Sequence, residues 1–222
     1  MREIVLDTET TGLNPKSGDR IIEIGCVEIV NQVATGEIYH QYINPKRDMP
    51  EEAFSIHGLS TEFLSDKPVF ADIADALLDF FGSARLVIHN AEFDMNFLNW
   101  ELEALGREPL SMYRVTDTMR MARKKFPGAP ASLDALCRRF QIDNSNRQLH
   151  GALLDARLLA DVYLELIGGR QRDLSLAGQH ASSEIAVDAP KVDRLVRPHA
   201  ASADELAAHK AFIEKITNAV WS

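Results

Sequence analysis

The stretch Ile4-Val5-Leu6-Asp7-Thr8-Glu9-Thr10-Thr11-Gly12 constrains this chain more than any other. Its apolar start reads as a buried strand, yet that strand ends on two carboxylates, Asp7 and Glu9, two residues apart. Residues i and i+2 of a strand share a face, so the two acids stand side by side. Like charges at the end of a buried strand repel and are poorly solvated. Two readings fit the segment taken alone: a strand end with both acids in water, or a site for a divalent cation. The choice rests on whether the rest of the chain supplies more acids and a proton acceptor.

The 222 residues suffice for one α/β domain and an appendage, and 45% of them are hydrophobic, enough for a sizeable core. The net charge of −9 excludes a protein that grips nucleic acid over a broad basic surface, because such a grip needs many Lys/Arg–phosphate contacts. Any nucleic acid is held weakly, through a site. Cys26 and Cys137 sit in apolar neighbourhoods without paired spacing and read as small core residues in a reducing compartment. No apolar run approaches the roughly 18–20 residues of a membrane span, and the chain starts directly in a strand without a signal-peptide core. A cytoplasmic protein with no membrane partner is expected.

Strands are expected at Arg2–Leu6, over Ile21–Val30 and from Glu37 to Ile43, the last two as a hairpin. Short irregular helix is expected from Pro50 to Ser65, around His57-Gly58. Ile73, Ala74, Leu77, Leu78 and Phe81 make one face of an amphipathic helix stopped by Gly82. Leu86-Val87-Ile88 is a fourth strand, and a helix follows with Phe93, Phe97, Trp100 and Leu105 at apolar positions. A short strand at Tyr113–Val115, helices over Thr116–Lys125, Leu133–Phe140 and Gly151–Ile167, and a polar loop from Gln141 to Leu149 complete the pattern. Strands first and then strands alternating with helices predict an α/β mixed sheet, three antiparallel strands plus parallel ones, flanked by helices.

Asp94 falls in the first turn of the helix after the fourth strand, near a strand's carboxyl end, where α/β folds place sites. An acid there also suits the helix dipole, so Asp94 alone decides nothing. Asp155 lies inside the apolar run of the last domain helix. An unpaired carboxylate there is costly, and a metal shared with Asp7 and Glu9 would satisfy it. His150 begins that helix; alone it reads as a polar capping residue, yet an imidazole with an ordinary pKa of about 6.5 can take a proton from water near neutral pH. Four carboxylates and a histidine form a hard-ligand set suited to Mg²⁺ or Mn²⁺. Two such ions about 3.5–4 Å apart can hold both the attacking and the leaving oxygen of a phosphodiester.

Asp7-Thr8-Glu9-Thr10-Thr11-Gly12, then His89-Asn90-Ala91 with Phe93-Asp94, then His150 with Asp155, resemble the three motifs of the DEDDh 3′–5′ exonuclease superfamily, in order. Residues 1–170 resemble the proofreading (epsilon) subunits of bacterial DNA polymerase III. The flanks Ile21-Ile22-Glu23-Ile24-Gly25, Phe54-Ser55-Ile56-His57-Gly58, Ser132–Cys137 and Leu149–Ala156 add to the match. The resemblance implies a ribonuclease-H-like fold and magnesium-dependent hydrolysis of DNA 3′ ends, with Mn²⁺ able to substitute. Asp7, Glu9, Asp94 and Asp155 would hold two Mg²⁺ ions, and His150 would be the general base. Glu52 and His57 would meet the terminal nucleotide together with Asp7 and Glu9, and the Thr10–Leu13 turn would lie against its sugar and base. Leu13 is either a wedge against the last base or a core residue.

The resemblance also divides the chain into an exonuclease domain over 1–168, a linker over 169–198 and a tail helix over 199–222 that binds the polymerase catalytic subunit. Composition agrees, since 169–198 lacks apolar periodicity and Ser202-Ala203-Asp204-Glu205 has capping-box form. Gln171-Arg172-Asp173-Leu174-Ser175-Leu176 resembles the short peptide by which replication proteins dock on the sliding clamp, through Gln171, Leu174 and Leu176. A further small core subunit would complete the partners. Two alternatives stay open: a free-standing nuclease that trims RNA or single-stranded DNA ends, and a non-catalytic bridge between clamp and polymerase. The basic group Arg120, Arg123, Lys124 and Lys125 reads as a solvated helix face.

Overall fold

The computed structural model describes residues 1–145, 147, 149–168 and 200–216. They fall into two units, one within 1–175 and the other within 176–222. The first holds a five-stranded sheet in the order β3-β2-β1-β4-β5. Its strands are β1 (Arg2–Thr10), β2 (Ile21–Val30), β3 (Val33–Tyr42), β4 (Arg85–Ile88) and β5 (Val115–Asp117). β1, β2 and β3 pair antiparallel, whereas β4 and β5 run parallel to β1. This is the expected mixed sheet.

Seven helices follow in this unit: α1 (Glu51–His57), α2 (Thr61–Leu64), α3 (Phe70–Phe81), α4 (Ala91–Ala104), α5 (Thr118–Lys125), α6 (Leu133–Phe140) and α7 (Ala152–Ile167). Strand alternation divides the core in two. Ile4 and Leu6 of β1 pack with α3 and α4, while Val5 packs on the other face with α6 and α7. The same alternation sends Asp7 and Glu9 to the α7 side and Thr8 to the α4 side. Both cysteines are free and buried, as expected. Lys125 donates to the carbonyls of Glu165 and Leu166 (3.3 and 2.8 Å), so part of the basic group on α5 caps the carboxyl end of α7.

Some boundaries depart from the sequence expectation. β3 starts at Val33, not Glu37, because Asn31 and Gln32 both adopt positive φ (51° and 67°) and close a two-residue hairpin. β5 falls at Val115–Asp117, after a 3-10 turn at Met112–Arg114, and α5 starts only at Thr118. Asp117 decides that boundary. It pairs with Ile88 in the sheet, and its carboxylate accepts from the Arg120 amide (3.0 Å) as the helix cap. Trp100 of α4 and Leu105 at its carboxyl cap are exposed rather than core residues.

In the second unit, α8 (Ala203–Ile213) carries the expected capping box. Ser202 Oγ accepts from the Glu205 amide (3.3 Å), and Glu205 Oε2 accepts from the Ser202 amide (2.8 Å). Leu206 and Phe212 of this helix are 58% and 61% exposed. Gln171, Leu174 and Leu176 lie outside the described residues. Among the described residues no helix is long and apolar enough to cross a membrane.

Gly25 fixes how closely α7 approaches the sheet. It lies opposite Asp7 in the β1–β2 register, and a Cβ there would overlap the backbone of Ala152 and Leu153. Gly25→Ala should therefore lift the start of α7 off β2 and cost about 1–3 kcal/mol as an overpacking substitution. The checking measurement is the urea midpoint, which should fall without a change in its slope.

Candidate active site

Each acidic residue reaches the site from a different element. Asp7 and Glu9 come from β1, Asp94 from the first turn of α4, and Asp155 from the first turn of α7. All four, with His150, line one cavity of about 340 Å³. Glu9, Asp94 and Asp155 are buried, Asp7 is partly buried and His150 is exposed. One donor atom each from Glu9, His150 and Asp155 lie within 4.8 Å of one another. The sequence-predicted catalytic set is thus brought together in full.

Local structure explains the aim of each group. α4, which carries Asp94, packs on the other face of the sheet from α7, and Thr8 links the layers by donating its hydroxyl to Asp94 Oδ1 (2.7 Å). α4 begins at Asn90, whose φ of 64° turns the chain sharply from β4 into the helix; asparagine tolerates that conformation better than most residues. His150 is anchored through its backbone, its amide donating to the Ile56 carbonyl of α1 (3.1 Å).

Electrostatics divide the four carboxyls into three and one. Burial, and then the charges of Asp94, Glu9 and Asp155, push Asp7 well above the ordinary range. Burial, and then Asp155 and the cross-strand neighbour Glu23, push Glu9 up to about 8. Burial raises Asp94 to about 7 against the opposing hydrogen bond from Thr8. Asp155 goes the other way. Burial would raise it, but the hydrogen bonds of Arg147, and after them His150, hold it below the usual range. Arg147 Nε and Nη2 donate to Asp155 Oδ1 and Oδ2 (2.6 and 2.7 Å), and Nη1 donates to Asp134 Oδ1 (2.8 Å).

Sequence reasoning missed Arg147, Asp134 and Thr8. It correctly demanded a partner for Asp155 and named only a metal; in this structure the partner is the Arg147 guanidinium. The available signal was the one cationic residue of the polar loop, three positions before His150. The residues present fit a divalent cation. Three clustered carboxyls make no ion pair among the described residues, all the donors are hard oxygens beside one imidazole, and a guanidinium pairs with the fourth.

A second cavity of about 460 Å³ adjoins the first, and Thr8, Glu9 and Phe93 line both. Thr10, Leu13, Glu52, Ile56 and His57 line it as well. Leu13 is 84% exposed, which overturns a core role for it. Thr10 Oγ1 donates to the Gly12 carbonyl (2.6 Å) and steadies the turn. His57 is buried; its Nδ1 accepts from the Leu59 amide (3.0 Å), and its Nε2 has no partner among the described residues. Burial, and then the charge of His150, keep His57 below the ordinary imidazole range, so the neutral ring presents Nε2–H as a donor.

An exonuclease family model, RNase_T, matches residues 4–163. The chain belongs to this exonuclease family. Relatives named DNA polymerase III subunit epsilon include one from Rickettsia prowazekii, 52% identical over 97% of this chain and 97% of its own. Another, from Escherichia coli K12, is 46% identical over 97% of this chain and 93% of its own. Among solved structures, exonuclease X in complex with 5′ overhanging duplex DNA is 27% identical with a TM-score of 0.59, over 74% of this chain and 90% of that one. The nuclease domain of 3′hExo, a DEDDh family member bound to rAMP, shares the fold at 16% identity with a TM-score of 0.64, over 75% and 91% of the two chains.

The raised carboxyls set a pH dependence for the metal-free family member. A carboxyl whose folded pKa is raised favours folding fully below the ordinary carboxylate range, and that contribution drains as pH climbs through the folded value. For Glu9 and Asp94 the drain runs up to about 8 and about 7. Asp155, held low, changes only in acid, outside this window. In EDTA the melting temperature should fall between pH 5 and pH 8, saturating Mn²⁺ should remove most of the fall, and Asp94→Asn should make it shallower. A thermal-shift series at fixed ionic strength checks all three.

Proposed function

We propose that this chain is the proofreading subunit of a bacterial replicative DNA polymerase, a Mg²⁺-dependent 3′–5′ exodeoxyribonuclease. The convergence of Asp7, Glu9, Asp94 and Asp155 on one cavity beside His150 carries the reading. The four acids would hold two divalent ions. When bound, such ions acidify water and stabilise the leaving 3′-oxygen of a phosphodiester.

The chain's own residues supply the rest. His150 takes the proton from the attacking water, which requires one ring nitrogen with a free lone pair. The second cavity receives the terminal nucleotide, its apolar wall facing the base and the His57 Nε2–H available to a sugar or phosphate oxygen. Glu52 lines the same cavity and contributes a carboxylate toward the sugar hydroxyls. Exposed Leu13 sits where a wedge against the last base belongs. Nothing in this set reads base edges, so excision is independent of sequence, and frayed or mispaired ends enter more easily because unpairing costs a few kcal/mol less.

The net charge of −9 supports delivery of DNA by partners. The 199–222 segment would dock on the polymerase catalytic subunit; α8 is short enough to be marginal alone and displays Leu206 and Phe212. The 169–198 segment would be the linker, with Gln171, Leu174 and Leu176 as clamp contacts. A further small subunit would complete the assembly. These partners and a cytoplasmic location follow from this role.

The test is digestion of a 5′-labelled single strand and of a duplex with a mispaired 3′ end in Mg²⁺. Label should shorten from the 3′ end, and DNA should be cut faster than RNA of the same sequence. Asp7→Ala should abolish cleavage, and His150→Ala should slow it by about 10²–10⁴-fold. Cleavage that survives Asp7→Ala sinks the assignment, and faster cutting of RNA turns it toward a free-standing RNA trimmer.

A further inference from the structure

Arg147 makes a two-pronged contact with Asp155 in which both side chains are buried, 8% and 3% exposed, while its third nitrogen reaches the more exposed Asp134. The Asn144 side-chain amide also donates to Asp134 Oδ1 (3.0 Å), so Asp134 is a preformed anchor at the solvent edge. Arg147 Nη2 lies 3.1 Å from His150 Nδ1. The same Nδ1 lies 3.4 Å from Asp155 Oδ2, so the imidazole faces both members of the Arg147–Asp155 pair.

We propose that Arg147 is a tethered cation that neutralises Asp155 while the carboxylate cage is empty, and that metal loading drives it from Asp155 onto Asp134. The inference rests on the reading of the cage as a divalent-metal site. Three features carry it. A guanidinium and a divalent ion on the same buried carboxylate repel each other strongly in a medium less polar than water. Arg147 needs no rearrangement to keep Asp134, because that bond already exists. Asp7, Glu9 and Asp94 have no ion pair among the described residues, so only Asp155 must exchange one cation for another.

The same movement would also reach His150. Its Nδ1 faces both Arg147 Nη2 and Asp155 Oδ2, so release of Arg147 removes one of the two groups that hold the ring. Arg147 is thus a positioning residue for His150.

Mn²⁺ binding to the full chain at pH 8, followed by electron paramagnetic resonance, tests this on wild type, Arg147→Gln and Arg147→Lys. Removing the competing cation should tighten Mn²⁺ binding by about fivefold or more in Arg147→Gln, with Arg147→Lys between the two. In EDTA the Gln variant should melt lower than wild type and gain more from Mn²⁺; folding only when Mn²⁺ is added counts as the same result. Equal or weaker Mn²⁺ binding by a folded Gln variant overturns the proposal, as does a variant that Mn²⁺ cannot fold. In wild type, the Arg147 Nε–H resonance should exchange slowly in EDTA and rapidly in Mg²⁺; slow exchange in both also overturns it. A wild-type chain that binds no Mn²⁺ instead removes the metal-site reading itself.

Discussion

Carboxylates crowded at the carboxyl end of β1 repel one another, and burial denies them the water that would screen that repulsion. Much of the domain's geometry creates this crowding. Strand alternation puts Asp7 and Glu9 on one face, Gly25 opposite Asp7 clears space for α7, and α7 then delivers Asp155 from above. Thr8 faces the other layer and ties in Asp94. Without a countercharge the arrangement favours protonated acids, as the upward shifts of Asp7, Glu9 and Asp94 show.

Two hydrophobic layers divide the labour around that point. The α3/α4 layer, with Ile4 and Leu6, secures the strand order and supplies Asp94. The α6/α7 layer, with Val5, supplies Asp155 and, through the turns before α7, His150 and Arg147. Acids from both layers line one cavity at the carboxyl end of β1.

Legibility in the sequence followed the range of the interaction. Period-two alternation in β1 and the apolar faces of α3 and α7 are local, and they placed the carboxylates correctly. The capping box of α8 is four residues long and was equally plain. Tertiary effects were not visible. Nothing near Thr116 announces that Asp117 belongs to both a strand and a cap, and the hairpin turn at Asn31-Gln32 lacks a glycine. Leu13 could be read as a wedge or as a core residue, and its exposure decides against the core. Arg147 was hidden for a physical reason: a flexible, polar stretch carries no periodicity from which burial of one side chain could be inferred.

The order of the elements has a consequence for how the protein comes into being. Asp7 lies on the first strand and Asp155 on the last helix of the same domain. A chain still emerging from the ribosome holds half the cage long before the other half exists. On the function proposed above, cleavage would wait until α7 has been made. Placing Asp7 and Asp155 at the two extremities of the domain would then tie reactivity to the domain's completion.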